Sequence, residues 1–424
     1  MTDARRGPEA TIHDLPHDVI AQIERTGPCE VVIGVATYNN AATIAGVADA
    51  ARAAVDKHFR GVRVALVNAD AGSADGTPET LALAGLPAIL AHSEAPPRER
   101  TEVPFHGVPG RGEALRTILG VAHRLGARVL VLLEADVTTI TDEWPERLAR
   151  PILGEGADWV AATYVRHRYD GTITRLLLSP LVRALYGRRL RQPLGGQQAL
   201  SARLVEHLLV HPRWNWTGRD VTDVWIVGTA IADGFAVWEA LLGPYHVQSA
   251  TRTMDLPTMV AETLGSVFTV MDRHEDLWLE VRGSEPVPGA GEVPPASTDP
   301  IDVDVDRMIE AFRLGLRDLT TIWEHILAAE TLGDVLTLDV PDAARFRFPD
   351  DLWARVVYDF ALGHHYGVVH RDHLLRSLVP LYLGRTAAFV VATRERSAVA
   401  TEAHVDAVGA AFERQKPYLV DRWR

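Results

Sequence analysis

Short apolar runs alternate with helical patterns in the first third of the chain. Apolar, β-branched runs lie within residues 30–40, 61–77, 86–93 and 127–136. Helical patterns separate them over 41–58, from about Pro78, and over 109–126. Strands that alternate with helices form a mainly parallel sheet with helices on both faces. The sequence therefore predicts a Rossmann-like α/β fold, and ligands of such folds bind beyond the carboxyl ends of the strands.

The fourth apolar run ends in two acids. In "VLLEADVTT", residues 131–139, Glu134 and Asp136 are two positions apart, so an extended chain points both side chains to one side. Asn39 and Asp70 follow the first and second runs at the equivalent place. An acidic pair at a strand end is usually just solvated. Carboxylates grouped in this way also suit a hard cation such as Mg²⁺ or Mn²⁺.

The second half of the chain is less regular and becomes mainly helical. A Pro- and Gly-rich stretch, "VPGAGEVPPASTDP", occupies residues 287–300, and apolar residues recur at helical spacing beyond it. We expect an N-terminal arm over 1–28 and an α/β domain over 29–282, with a donor part at about 29–150 and an acceptor part at about 151–282. A linker over 283–300 and a helical domain over 301–424 follow.

Composition limits the kind of partner. The net charge of −13 argues against a nucleic-acid binder, which needs a basic face. The single cysteine, Cys29, allows no intramolecular disulfide and fits a reducing cytoplasm. No stretch of about 18 uncharged apolar residues is present, so we expect no membrane span. We predict a cytoplasmic protein, and the apolar helical tail favours a homodimer.

Several motifs together resemble a known group of enzymes. "TYNNAATI", "NADAGSADGT" and "EAD" are similar to the nucleotide-sugar half of GT-A glycosyltransferases. "GRGEALRT" (110–117), "YDGTIT" (169–174) and "RQPLGGQQAL" (191–200) resemble a narrower set, the retaining enzymes that make mannosylglycerate, glucosylglycerate and glucosyl-3-phosphoglycerate. The resemblance covers roughly residues 30–260, and the helical tail looks most like that of mannosylglycerate synthases. It implies a GT-A domain that binds a UDP- or GDP-hexose.

The resemblance assigns roles to residues of the donor side. Asp136 and His246 match the metal ligands of the family, which uses Mg²⁺ or Mn²⁺. The Gly110-Arg111-Gly112 turn opens a helix, where backbone amides and the helix dipole favour a phosphate. The residues expected to bind the donor are Ala36, Tyr38, Asn39, Asp70, Gly110, Arg111, Glu134, Ala135, Gly195 and Gly196.

Catalytic and acceptor residues follow from the same resemblance. The Leu194 carbonyl is expected near the anomeric centre, and Asp223 resembles the acid that holds the sugar hydroxyls. Asp220 could share that role, and either acid could instead be a helix N-cap. An acceptor hydroxyl would attack from the side of the leaving group. The residues expected to bind the acceptor are Arg166, Asp170, Gly171, Thr172, Ile173 and Thr174.

Departures from the family pattern shape the prediction. Glu134 replaces the usual first Asp, Arg111 replaces a Lys, and Asn40 replaces an acid. Thr172 stands where the enzymes that act on 3-phosphoglycerate have an Arg, although Arg168 or Arg175 could substitute for it. We therefore predict a hexosyltransferase that acts on D-glycerate and makes a compatible solute. The alternatives are a 3-phosphoglycerate hexosyltransferase and a sugar-nucleotide-binding protein without catalysis, the latter suggested by Glu134.

Two other motifs are given no catalytic role. "HHYGVVHRDH", residues 364–373, holds four histidines, none of which lies four positions from another. We interpret it as a surface or interface feature and not as a metal site. "DVDVD", residues 302–306, lacks the glycine and distal glutamate of a calcium loop, so we interpret it as a helix entry.

Overall fold

The fold is taken from a computed structural model. It describes residues 15–83, 85–92, 107–211, 222–248, 256–289, 291, 294, 297, 302–339 and 343–423. The chain divides into two compact units. Unit 1 comprises Met1–Ala162, Gly196–Thr222 and Phe235–Thr253, and unit 2 comprises Thr163–Gly195, Asp223–Gly234 and Met254–Arg424.

Helices and strands alternate through the first half of the described chain. They are α1 (His17–Thr26), β1 (Val31–Thr37), α2 (Ala41–His58), β2 (Val64–Asp70), α3 (Thr77–Ala82), β3 (Ala88–His92), α4 (Arg111–Arg124), β4 (Val129–Glu134), α5 (Glu143–Gly154), β5 (Trp159–Val165), a π-helical turn (Thr174–Leu178), α6 (Ser179–Tyr186), β6 (Arg188–Arg189), β7 (Gln198–Ser201) and α7 (Ala202–Val210).

Helices dominate the second half. The elements are α8 (Thr222–Ala232), β8 (Val237–Pro244), α9 (Leu256–Arg273), α10 (Glu275–Trp278), β9 (Glu285–Pro286), α11 (Val305–Asp318), α12 (Thr320–Ile326), α13 (Ala329–Leu336), a 3₁₀ turn (Ala343–Arg345), α14 (Asp350–His365), α15 (Arg371–Ser377), α16 (Val379–Thr393) and α17 (Ala398–Val420).

A seven-stranded sheet forms the centre of unit 1, in the order β3-β2-β1-β4-β7-β5-β8. The pairs β1–β2, β1–β4 and β2–β3 are parallel, whereas β7 runs antiparallel to β4 and β5. Every residue of β1 and β2 is buried, which explains their nearly unbroken apolar sequence. The predicted Rossmann-like α/β fold with a helical C-terminal region is confirmed.

Unit 2 is built mainly from helices with buried aromatic side chains. Trp353 on α14 is fully buried and donates its indole N–H to the Leu176 carbonyl at 2.7 Å. Tyr358, one turn further, donates its hydroxyl to the Phe412 carbonyl of α17 at 2.7 Å. These bonds tie α14 both to α17 and to the turn that precedes α6. Residues 163–195 therefore belong with the C-terminal helices.

The two compact units are not continuous in sequence, and the linear domain bounds expected from the sequence stay a prediction. The stretch 283–300 was expected to be a linker, yet its residues Glu285–Pro286 form β9, which pairs with β6. Ser297 donates its N–H to the Arg166 carbonyl at 3.0 Å and accepts from the Arg168 N–H at 2.9 Å. These residues pair with earlier parts of unit 2 instead of separating two domains. The "DVDVD" stretch, as expected, leads into a helix, with Asp304 accepting from the Arg307 N–H of α11.

One apolar stretch of the described chain is long enough to cross a membrane by length and composition. It runs from Arg371 to Thr393, and 78% of its most apolar window is buried inside the protein. Core helices of soluble proteins have the same property, so the stretch is weak support for a membrane span.

Candidate active site

Three of the predicted donor-binding residues, Ala36, Asp70 and Glu134, lie at the carboxyl edge of the sheet. Parallel pairing places Thr37 opposite Asp70 and Ala36 opposite Glu134. The last residues of β1, β2 and β4 therefore form one row. The sequence predicted this meeting, because parallel strands end at the same edge of a sheet.

The loops after β1 and β2 are fixed to each other by side-chain hydrogen bonds. Asp70 accepts from the Thr37 and Ser73 hydroxyls, at 2.8 and 2.6 Å, and from the N–H groups of Gly72 and Ser73, at 2.9 and 2.8 Å. Asn39 has a positive φ of 54° and accepts from the Ala74 N–H at 2.9 Å. Asp70 therefore orders the loop after β2, and direct contact of Asp70 with the donor stays a prediction.

A short ladder brings the two predicted metal ligands onto neighbouring backbone segments. Val137 and Val247 form an antiparallel bridge. On either side of it, the Gln248 N–H donates to the Asp136 carbonyl and the Thr138 N–H to the His246 carbonyl, both at 2.9 Å. Asp136 and His246 both flank the bridged pair, so alternation along the strands gives them the same face.

The two candidate ligands differ in exposure. The Asp136 residue is only 6% exposed, whereas His246 is exposed. His246 is further fixed because its N–H donates to the Thr139 hydroxyl at 3.0 Å. The buried Asp136 offers a carboxylate oxygen and the exposed His246 offers an imidazole nitrogen. This pair fits a divalent cation that also takes ligands from a substrate.

Glu134 is held by contacts of its own. The Tyr245 hydroxyl donates to Glu134 Oε2 at 2.6 Å. The same carboxylate lies against the α-carbon of Gly196, where a Cβ would come within 2.6 Å of Glu134 Oε1. Gly196 also has a φ of +82°, which favours glycine. Glu134 therefore connects the end of β4 to the residue before His246 and to the Gly195-Gly196 loop.

The Gly110 turn has the geometry of a helix start suited to anions. Gly110 has a φ of +63° and precedes α4, a helix of 14 residues whose first residue, Arg111, is 7% exposed. The Gly110 carbonyl accepts from the N–H groups of Glu113 and Ala114, at 3.0 and 3.1 Å. N–H groups of a first helical turn and the positive end of the dipole attract a phosphate. The sequence placed the donor's diphosphate here.

In unit 2, Tyr164 holds both sides of the loop that contains Leu194. Its hydroxyl donates to the Gly195 carbonyl at 2.7 Å, and its own carbonyl accepts from Gln192 Nε2 at 3.2 Å. The guanidinium of Arg166 lies 5.1 Å from the centre of the Tyr164 ring. The buried Tyr164 thus holds the loop that contains Leu194, and it also contacts Arg166, which is predicted to bind the acceptor.

The predicted acceptor residues form one loop of unit 2, residues 166–175, which we call the acceptor loop. Gly171 has a φ of +64°, and a Cβ there would lie 3.6 Å from an Arg166 guanidinium nitrogen. Asp170 is exposed and its carboxylate accepts from the His167 N–H at 3.3 Å. Thr172 Oγ1 is 2.5 Å from the hydroxyl of Tyr382 on α16. Ile173 and Thr174 lead into the π-helical turn.

Asp223 lies in the first turn of α8 and is half-buried. Its predicted neighbour Asp220 lies outside the described residues. The position is compatible with either of the roles predicted for Asp223, a contact to sugar hydroxyls or a helix-terminal acid.

The histidine cluster is engaged with an aspartate of unit 2. The Nδ1 atoms of His364 and His365 lie 3.6 and 2.8 Å from the two carboxylate oxygens of Asp272. The His365 ring stacks on Trp423 with 4.0 Å between centroids. These contacts agree with the interpretation of the cluster as a structural surface feature.

Three tyrosines stand out that sequence reasoning did not select. Tyr164, Tyr245 and Tyr382 bond to site residues that lie 31, 111 and 210 positions away, respectively. No local spacing marks such partners. The only signal for Tyr245 is that it precedes His246, and Tyr164 and Tyr382 sit within ordinary apolar runs.

Comparison with known proteins finds a curated relative and several solved structures. No known family model matches the chain. A curated relative, the glucosyl-3-phosphoglycerate synthase of Persephonella marina, is 27% identical over 134 residues, which are 28% of this chain and 33% of the relative. The match therefore spans about a third of the relative's length.

Solved structures of a similar protein are known from Mycobacterium tuberculosis. Its glucosyl-3-phosphoglycerate synthase with Mn²⁺, UDP and glucosyl-3-phosphoglycerate is 24% identical, with a TM-score of 0.44, over 62% of this chain and 87% of that chain. The same enzyme with Mg²⁺ and UDP is 22% identical, with a TM-score of 0.43, over 62% and 85%.

Proposed function

We propose that this chain is a metal-dependent, retaining glycosyltransferase that moves a hexosyl group from a UDP- or GDP-hexose to a hydroxyl of D-glycerate. One observation carries the proposal. Asp136 and His246, which are 110 residues apart in sequence, share a face of one ladder at the carboxyl edge of the sheet, about where a nucleotide-binding α/β fold holds its ligand.

Asp136 and His246 would hold the cation. A bound divalent ion stabilises the negative charge that develops on the diphosphate as the sugar leaves. Carboxylates suit Mg²⁺ and Mn²⁺, whereas imidazole suits softer metals better than Mg²⁺. The mixed pair therefore favours Mn²⁺. Glu134 stays outside this pair because its carboxylate is occupied with Tyr245.

Other residues of unit 1 would bind the rest of the donor. The first turn of α4 and Arg111 would take the diphosphate through N–H groups and a charge-assisted bond. The loops that Asn39 and Asp70 order would take the base and ribose, together with Ala36 and Tyr38. Ala135 and Gly196 would line the donor side of the sheet edge.

Other predicted residues would make the contacts to the acceptor and to the transferred sugar. Arg166 would bind the glycerate carboxylate, with N–H and hydroxyl donors from Gly171–Thr174. The acceptor hydroxyl attacks the anomeric carbon as the bond to the diphosphate breaks, and its proton passes to the departing β-phosphate oxygen. The Leu194 carbonyl, held by Tyr164 through Gly195 and Gln192, would face the positive charge that develops on the sugar, and Asp223 would bind its hydroxyls.

The second candidate acceptor is 3-phosphoglycerate. The name of the similar enzymes from Persephonella marina and Mycobacterium tuberculosis favours it. The charges of the acceptor loop favour glycerate instead. Position 172 is a threonine, Arg175 forms an ion pair with Glu402, and Arg168 donates to the carbonyls of Thr393 and Arg396 at 2.9 and 3.0 Å. Arg168 and Arg175, which could replace the missing phosphate-binding Arg, are therefore both engaged in other contacts.

A panel of purified reactions tests the proposal. The chain is incubated with Mn²⁺, each of UDP-glucose, GDP-glucose, UDP-mannose and GDP-mannose, and either D-glycerate or 3-phosphoglycerate. We expect glycerate-dependent release of nucleoside diphosphate and an α-linked product from an α-linked donor. Release only with 3-phosphoglycerate would establish the second candidate. Tight nucleotide binding without release from any pair would instead establish a sugar-nucleotide-binding protein without catalysis.

A further inference from the structure

Contacts from the C-terminal helices fix the acceptor loop along its length. Arg168 is 8% exposed and donates to the carbonyl of Thr393, the last residue of α16, and to the carbonyl of Arg396 beyond it. The Tyr169 ring meets Phe389 of α16 edge-on, with 6.3 Å between centroids. Arg175 pairs with Glu402 of α17. The loop's conformation is therefore set by residues more than two hundred positions away.

The contact between Thr172 and Tyr382 differs from these anchors. Among the described contacts between the C-terminal helices and the acceptor loop, it involves the side chain at the centre of the predicted acceptor motif. The Thr172 and Tyr382 hydroxyl oxygens are 2.5 Å apart. Tyr382 is fully buried, and burial raises its pKa to about 12, so its hydroxyl keeps its proton at neutral pH. Thr172 is half-buried. The buried Tyr382 hydroxyl thus orients the hydroxyl of the half-buried Thr172.

We propose that Tyr382, a residue of the helical region, is a positioning residue for the acceptor, because its hydroxyl fixes Thr172 in the orientation that receives a small unphosphorylated hydroxy acid. This inference rests on the proposed function and extends the site to a residue that the sequence analysis gave no role.

Tyr382→Phe tests the inference, because it removes one hydroxyl and keeps the ring. We expect KM for D-glycerate to rise about tenfold, the effect of one lost hydrogen bond, while kcat and the donor KM stay within about twofold. Thr172→Val should give the same rise, and the double variant should give no further rise. Additive effects of the two changes, or an equal rise in the donor KM, would overturn the inference.

Tyr358→Phe is the matched control. Tyr358 is also fully buried, and its hydroxyl also makes a hydrogen bond, but this bond of 2.7 Å goes to the Phe412 carbonyl and not to the loop. This variant loses the same atom from the same helical region. It should lower stability while leaving KM for D-glycerate unchanged. A comparable rise in KM with Tyr358→Phe would show that general loosening of unit 2, and not the Thr172 contact, controls the acceptor.

Hydrogen exchange separates this inference from the proposed function. Amides of residues 166–175 are expected to exchange faster in Tyr382→Phe than in wild type or Tyr358→Phe, whatever reaction the chain performs. Unchanged exchange of this loop would overturn the positioning role. If the loop loosens but the wild-type chain transfers no sugar to either acceptor, the proposed function fails while the positioning of the loop by Tyr382 stands.

Discussion

Gly196→Ala is the sharpest test of how Glu134 is held. An alanine at the φ of +82° costs about 1–2 kcal/mol relative to a residue with negative φ. Its Cβ would also come within 2.6 Å of Glu134 Oε1, and overpacking of this kind costs about 1–3 kcal/mol. We therefore expect Gly196→Ala to lower the free energy of unfolding of unit 1 by about 2–5 kcal/mol.

A second substitution separates the two contributions. In a Glu134→Ala background the carboxylate is gone, so Gly196→Ala should cost only the backbone part, about 1–2 kcal/mol. The difference between the two backgrounds is the coupling energy, expected at about 1–3 kcal/mol. Urea unfolding followed by circular dichroism measures each cost.

Gly126→Ala provides the control. Gly126 has a φ of +70° in the same unit, and no atom lies within 4 Å of where its Cβ would be. Its substitution should cost the backbone part alone. The reasoning is refuted if Gly196→Ala costs no more than Gly126→Ala, or if its cost is the same with and without the Glu134 carboxylate.

Three further predictions concern chemistry and pH. Asp136→Asn should remove nearly all transfer at saturating Mn²⁺ and Glu134→Gln much less, as measured by initial rates; full activity in excess EDTA, or the reverse order, would refute the ligand assignment. kcat/KM should favour D-glycerate over 3-phosphoglycerate by about 10- to 100-fold, because Thr172 offers the phosphate no charge-assisted bond, and equal use would refute this. Burial lowers the pKa of Lys416 to about 8, so between about pH 8 and 10 this side chain binds more protons in the unfolded chain, and its contribution to the free energy of unfolding should rise with pH; urea titrations should show that rise as a difference between wild type and Lys416→Met, and no pH-dependent difference would refute it.

The central sheet could be predicted because its signals are local. Residues of β1, β2 and β4 are buried on both faces, so each strand is a nearly continuous apolar run that stops at a polar residue. Parallel strands end at one edge of the sheet, so the ends of the apolar runs predict that Asp70 and Glu134 lie at the same edge.

The division into units could not be predicted in the same way. Arg183 looks like a surface residue of an amphipathic helix, yet it is 8% exposed and pairs with Asp406 and Glu413 of α17. Nothing near it in sequence indicates those partners. The prolines and glycines of 287–300 suggested a linker, because turn-forming composition does not reveal whether a segment pairs with a distant strand.

The candidate site was partly predictable for a related reason. Charged and glycine residues such as Asp136 and Gly196 stand out against apolar surroundings, and their order along the chain is informative. Tyr164, Tyr245 and Tyr382 do not stand out, since a tyrosine in an apolar run is most often part of the core. Their importance depends on a single hydroxyl whose partner is defined only by the tertiary structure.

The long separation between Thr172 and Tyr382 has a consequence for synthesis on the ribosome. The loop emerges 210 residues before the tyrosine that fixes it. At about 5–20 residues per second, translation leaves the loop without this anchor for roughly 10–40 s. During that time the nascent chain exposes apolar side chains such as Leu176 and Leu177, which are later buried. A chaperone that binds short apolar segments should therefore engage this part of the nascent chain until α16 has emerged, and synthesis stalled before residue 379 should prolong that engagement.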